Sequence, residues 1–163
     1  MAADSSFDVV SDFDQQELVN ALDQARREIA TRYDFKGSAV AFELGRDAIT
    51  LTADDEYRAQ AAKDLLESKA IRRGLSLKIF SWGKLEPASG GTVRQEIALK
   101  RGLTSEQAKE IAKRIRDGFP KTKPVIQGDA VRVSAKSKDE LQAVISELKA
   151  MDYPVALQFT NYR

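Results

Sequence analysis

One succession of apolar patterns runs through this chain twice, and that repetition constrains the fold more than any single motif. The first pass begins with an apolar stretch at 6–10, which predicts a short strand. Asp14 then opens a helix, with Glu17 three residues on as in a capping box. Leu18, Leu22, Ala25, Ile29 and Tyr33 follow at spacings of four and three, one stripe on a helix. Residues 39–44 and 48–52 alternate as strands around Gly45-Arg46-Asp47, a tight turn. Asp54 or Asp55 opens a second helix carrying Ala62, Leu65 and Leu66, and Gly74 closes it. Residues 75–80 alternate again.

The second pass keeps the order. A strand is predicted over 92–99. Thr104 and Gln107 form a capping box ahead of Ala108, Ile111, Ala112 and Ile115, and Gly118 ends that helix. Gly128-Asp129 joins strands 124–127 and 130–135 as a hairpin. Ser137 with Glu140 opens the last helix, whose stripe is Leu141, Val144, Ile145 and Leu148, and 155–161 gives the final strand. Between the passes, Glu86 to Gly91 has the composition of a flexible linker. The expected fold is α+β, with two tandem ferredoxin-like (RNP-like) β-α-β-β-α-β units spanning 1–86 and 92–163. Each is an antiparallel four-stranded sheet with two helices on one face and the other face open. Periodicity leaves strand pairing undecided, so the N-terminal strand fits its own half or the second one.

Composition narrows the function. The 163 residues include neither Cys nor His. Disulfides, thiolate metal sites and a thiol nucleophile are excluded, and the commonest general base and metal ligand are missing. These gaps weigh against an enzyme, and no metal or cofactor site is expected. No apolar run approaches the length of about 18 residues that a membrane helix needs. The start, MAADSSFDVV, lacks the basic and apolar stretches of a secretory signal, so a cytoplasmic protein is expected. The overall charge of +1 divides unevenly: residues 1–90 hold 12 Lys+Arg against 16 Asp+Glu, and 91–163 hold 14 against 9. A basic half favours polyanions, although such asymmetry also arises incidentally.

Few short motifs in the chain carry chemistry. Gly83-Lys84 lacks the upstream glycine of a phosphate loop. Asp54-Asp55-Glu56 sits at a helix start, where acids complement the dipole. Lys36 and Gly37 match the opening of an RNA-stacking octamer, but Ser38, Val40 and Glu43 occupy its ring positions. That segment reads better as a helix stop, with Tyr33 and Phe35 packing and Gly37 in a left-handed cap. Arg94, Lys100 and Arg101 on one strand, with Arg132 and Lys136 on another, would converge on an anion if those strands are neighbours, and of these Lys100, Arg101, Arg132 and Lys136 are the expected phosphate contacts. At the C-terminus, Tyr162 offers a ring for a nucleobase and Arg163 a guanidinium. A last strand with Phe159 in the core is the plainer account of the same residues.

Five pieces in order resemble the YajQ family of small bacterial proteins: Phe7 to Ser11, Arg32 to Gly37, Ile126 to Asp129 with Val131 to Val133, Lys136 to Leu141, and Gln158 to Arg163. The resemblance runs over almost the whole chain. It implies two RNP-like domains and nucleotide binding, with association to nucleotides, RNA or tRNA, and cyclic di-GMP-dependent action through protein partners in some members. No catalytic residue is carried over. Charge and position single out Lys36, Arg132, Lys136 and Arg163 within the matching motifs. Residues 81–90, including Trp82, match no family pattern. The expected function is therefore binding of nucleotide or RNA phosphates (ATP, GTP, cyclic di-GMP or tRNA). The alternative is a protein-interaction adaptor that uses its open sheet faces without nucleotide. A carboxylate hydrolase is disfavoured, because the acids lie mostly at helix starts.

Overall fold

The computed structural model describes residues 4–163. Nine strands and four α-helices alternate along them: β1 Ser5–Val10, α1 Gln15–Thr31, β2 Ala41–Leu44, β3 Ala48–Ala53, α2 Glu56–Arg72, β4 Phe80–Trp82, β5 Glu86–Pro87, β6 Val93–Leu99, α3 Ser105–Gly118, β7 Lys123–Gln127, β8 Ala130–Ala135, α4 Lys138–Ala150 and β9 Gln158–Thr160. The class is α+β with two antiparallel sheets, as the repeated pattern predicts.

The chain does not divide at 86–92, where the two-pass order would put the boundary. One compact unit joins residues 1–12 to 101–163 (unit 1), and residues 13–100 form the other (unit 2). In unit 1 the strand order is β7-β8-β1-β9. Read as β1-α3-β7-β8-α4-β9, this is the ferredoxin-like arrangement. In unit 2 the order is β2-β3-β6-β4, with β5 added beside β6. Here β6 takes the central place that β1 holds in unit 1, so the same arrangement is built from α1-β2-β3-α2-β4-β6 with its equivalent strand supplied last. Phe7 and Val9 of β1 sit opposite Val133 and Val131 of β8, and Ile97 of β6 sits opposite Ile49 of β3. β1 and β6 both alternate, so period alone does not assign either strand to a sheet.

Apolar burial follows the stripes. In unit 1, Phe7, Val9, Val131 and Val133 pack under Ala108, Ile111 and Ile115 of α3 and under Leu141, Val144 and Leu148 of α4. In unit 2, Leu18, Leu22 and Ala25 of α1 and Ala62, Leu65 and Leu66 of α2 are buried, as are Phe42, Ile49, Leu51 and Ile97 of the sheet. Burying a large apolar side chain contributes about 1.5–3 kcal/mol, so these stripes hold each unit together.

The caps form largely where expected. Asp14 accepts from the Gln16 and Glu17 amides, and Thr104 with Gln107 makes the full capping box. Glu17 does not close a box of its own; it accepts from Arg73 at 2.8 Å and from Asn20. Asp55 is the N-cap of α2, while Asp54 accepts from the Ser38 hydroxyl and the Ala39 amide and ties the segment before β2 to the start of the helix.

Three local expectations differ from the structure. Residues 77–79 form a 3₁₀ turn rather than a strand, because the Ser76 side chain caps the Lys78 amide; pairing begins only at Phe80. Glu86 to Gly91 is no interdomain linker. Glu86 and Pro87 pair with Arg94 and Val93, and Gly90 and Gly91, both at positive φ, turn the chain into β6. Tyr33 does not pack: it is 89% exposed, whereas Phe35 is 3% exposed beneath the Arg32 guanidinium. The 3₁₀ turn over 33–35 breaks the helical spacing that would have carried Tyr33 onto the stripe.

Candidate phosphate site

Register fixes which side chains share a sheet face. In unit 1 the residues alternating with the buried set on the central strands are Ala130, Arg132 and Ser134 of β8 and Ser6, Asp8 and Val10 of β1. In unit 2 they are Ala48, Thr50 and Thr52 of β3 and Arg94, Glu96 and Ala98 of β6. These are the open faces, and no aromatic ring stands on their central strands. Base stacking of the RNP kind requires rings there, so neither sheet provides that platform.

Arg132 and Asp8 are opposite one another on the open face of unit 1. The Arg132 Nε lies 2.9 Å from Asp8 Oδ1, and Asn161 Nδ2 donates to Asp8 Oδ2 at 2.9 Å. These contacts, the guanidinium hydrogen bond foremost, hold the Asp8 carboxyl below its ordinary range against the opposing effect of burial. The charge of Arg132 is thus largely answered within the fold.

The C-terminal residues contain a feature that alternation does not show. Asp8 pairs with Thr160, and Ser6 then exchanges two backbone hydrogen bonds with Arg163, at 3.2 and 3.0 Å. Between these pairs one residue of β1, Phe7, faces two, Asn161 and Tyr162. That is a β-bulge, and Asn161 takes the left-handed φ of 57°. The bulge turns Tyr162 toward Phe7, with ring centroids 6.2 Å apart on the helix side of the sheet. Arg163 is returned to the face of Ser6 and Asp8. Tyr162 therefore does not share a face with Arg132, although its ring stays exposed.

Lys136 lies in a cleft at the end of the unit 1 sheet, where β8 runs into α4. The cleft encloses about 310 Å³ and is lined by Lys121, Lys123, Ser134 and Lys136 together with Asp4 and Glu140. Lys123 is directly opposite Ser134. Ser137 caps α4 at the same place, so the positive end of the helix dipole adds to the lysines. Lys121, Lys123 and Lys136 make no ion pair among the described residues. Lys121 and Lys123 are not among the residues singled out from the sequence, because only the β7–β8 hairpin register brings them beside Lys136.

The remaining predicted residues lie apart from this cleft. Arg101 pairs with Asp12, Nε to Oδ1 at 3.4 Å. Lys100 belongs to unit 2, where its amide donates to the Ile79 carbonyl. Lys36, also in unit 2, is exposed after the 33–35 turn. The charge asymmetry of the halves disappears in the folded units. Unit 1 holds 12 Lys+Arg and 11 Asp+Glu, and unit 2 holds 14 of each. Asp4, Asp8 and Asp12 join the basic segment, while Arg94 and Lys100 leave it. Attraction for anions must then be local rather than a field of one whole unit.

Two further clefts are differently made. One in unit 2, about 430 Å³, is lined by Glu28, Arg32, Asp34, Tyr57 and Asp64 among others. Its Arg32 is already paired with Asp34 and Glu28. The other, about 550 Å³ in unit 1, includes Glu110, Arg114 and Tyr153. No group of three or more metal-ligating side chains occurs among the described residues, and none of their helices is long and apolar enough to cross a membrane.

The fold defines a protein of two ferredoxin-like, RNP-like units whose open sheet faces lack stacking rings. A family model described as "Nucleotide-binding protein YajQ-like" matches residues 5–163, and the chain belongs to that family. A protein of Trichodesmium erythraeum named "Nucleotide-binding protein" is 60% identical over the full length of both chains. Relatives in Synechococcus elongatus and Chloroflexus aggregans, also named as nucleotide-binding proteins, are 61% and 57% identical, again over both full lengths. None of these names denotes an enzymatic activity.

Proposed function

We propose that this protein binds nucleotides through their phosphates, without catalysing a reaction on them, in the cytoplasm. The supporting observation is the cleft in which Lys121, Lys123 and Lys136 meet the start of α4 without ion-pair partners among the described residues. Unpaired ammonium groups beside a helix N-terminus suit a phosphate chain. The names of the relatives point the same way. Arg132, two residues from Ser134 on the same strand face, and Arg163 border the site with charges of the same sign. Lys36, Lys100, Arg101 and Tyr162 are secondary candidates outside the cleft.

Calorimetric titration with ATP, GTP, cyclic di-GMP and tRNA at several salt concentrations tests this reading. Binding that weakens steadily with salt is expected, since phosphate contacts are screened. No binding of any of the four at low salt would end the proposal.

The adaptor alternative draws support from exposed rings in unit 2. Tyr33 and Tyr57 are strongly exposed, and Tyr57 lines the unit 2 cleft. Tyrosines are enriched at protein interfaces. Partner capture lost on Tyr57→Ala and independent of nucleotide would favour that reading.

A further inference from the structure

We infer that the unit 1 cleft reads the number of phosphates on its ligand and is indifferent to the base they carry. This rests on the nucleotide-binding reading above and narrows it.

Base recognition takes a ring or guanidinium plane for stacking, or fixed donors and acceptors at the base edge. The cleft has neither a ring nor an amide nor an arginine among its lining residues. Its cations are three lysines, compact point charges on flexible stems that suit any phosphate oxygen and impose no planar geometry. The ring nearest in sequence to the open face, Tyr162, is carried to the other side by the Asn161 bulge. The central strands of the adjoining open face carry Ser134, Ser6, Asp8 and a single guanidinium, Arg132, which is tied to Asp8 and, as a flat stacking surface, would favour no one base over another.

The two acids define the other limit. Asp4 and Glu140 line the same cleft, and their charges oppose each added phosphate. A carboxylate can also accept from the edge of a guanine, so Glu140 is the residue that separates the two accounts. If it only repels phosphate, Glu140→Gln tightens every triphosphate. If it holds a base, the same change weakens GTP alone.

The test is calorimetry on the full chain in low salt with ATP, GTP, CTP, AMP and inorganic tripolyphosphate. The three nucleoside triphosphates and tripolyphosphate should agree within about threefold, and AMP should bind at least about tenfold more weakly. Lys123→Ala combined with Lys136→Ala should weaken all the triphosphates by about tenfold or more, with thermal melting confirming an intact fold. Selectivity beyond about tenfold among ATP, GTP and CTP would overturn the inference, as would selective loss of GTP on Glu140→Gln. Nucleotide binding unaffected by the lysine changes would overturn it while leaving the broader reading in place. Binding of tripolyphosphate alone, with no nucleotide bound, would overturn the broader reading and leave the lysine cleft as a phosphate site.

Discussion

Asp8 and Arg132 face each other across the two central strands of unit 1, the guanidinium reaching both carboxylate oxygens at 2.9 and 3.4 Å. The Asp8 carboxyl is thereby held below its ordinary value of 3.8. A depressed folded value means that the stabilisation is complete above the unfolded pKa and is lost as pH falls through the folded one. Asp8→Asn should therefore destabilise the chain at pH 7, by about 1–3 kcal/mol for a half-buried charged hydrogen bond. The difference from the parent should shrink as pH falls below about 4. Urea unfolding at both pH values checks this, and an unchanged difference at low pH would refute it.

Gly83 and Gly118 predict opposite signs for the same substitution. A Cβ on Gly83 would stand 2.7 Å from the Glu96 carbonyl oxygen, which accepts the Gly83 amide at 2.8 Å. The obstacle is backbone in the middle of a sheet, so Gly83→Ala should cost about 1–3 kcal/mol. Gly118 closes α3 at ordinary φ with open space around it. Gly118→Ala should stabilise by about 0.5–1 kcal/mol through higher helix propensity and a less free unfolded chain. Thermal melts of the two variants should move in opposite directions.

How much the sequence shows depends on whether the signal is local. The α3 and α4 stripes, the α1 stripe from Leu18 to Ala25, the Thr104–Gln107 box and the Gly128 hairpin are set by neighbours a few residues apart, and they appear as read. The exchange of β1 and β6 between units is a long-range choice between strands of equal period, decided by partners such as Arg132 for Asp8, 124 residues away in sequence. The basic half disappears once that exchange is made. The Asn161 bulge changes the face of Tyr162 by inserting one unpaired residue, which a regular period cannot register. Lys136 was legible as a basic residue beside a strand. Its companions Lys121 and Lys123 required the β7–β8 register.

Tyr33 and Phe35 offer a direct measure of the RYDFKG stretch. Phe35→Ala removes a buried ring and should cost about 3–5 kcal/mol. Tyr33→Ala removes one that touches little and should change stability by no more than about 0.5 kcal/mol. Urea denaturation of both variants gives the comparison. A large cost for Tyr33→Ala would show that its ring packs in solution.

Tyr153 supplies an alkaline counterpart to Asp8. The residue is buried, and its hydroxyl donates to Glu110 Oε2 of α3 at 3.0 Å. Burial first, and then the hydrogen bond to a carboxylate, push the phenol up to about 12. For a raised folded value the stabilisation is complete below the unfolded pKa of about 10 and is lost as pH rises through the folded one. The chain should therefore lose stability between about pH 10 and pH 12, with the slope reduced in Tyr153→Phe. Absorbance titration gives an independent readout. Tyrosinate formation up to about pH 11 should be nearly the same in the parent and in Tyr153→Phe, because the buried phenol contributes little before then. Loss of one tyrosine's amplitude near pH 10 in the variant would show instead that Tyr153 ionises as an exposed phenol and that its bond to Glu110 is not maintained.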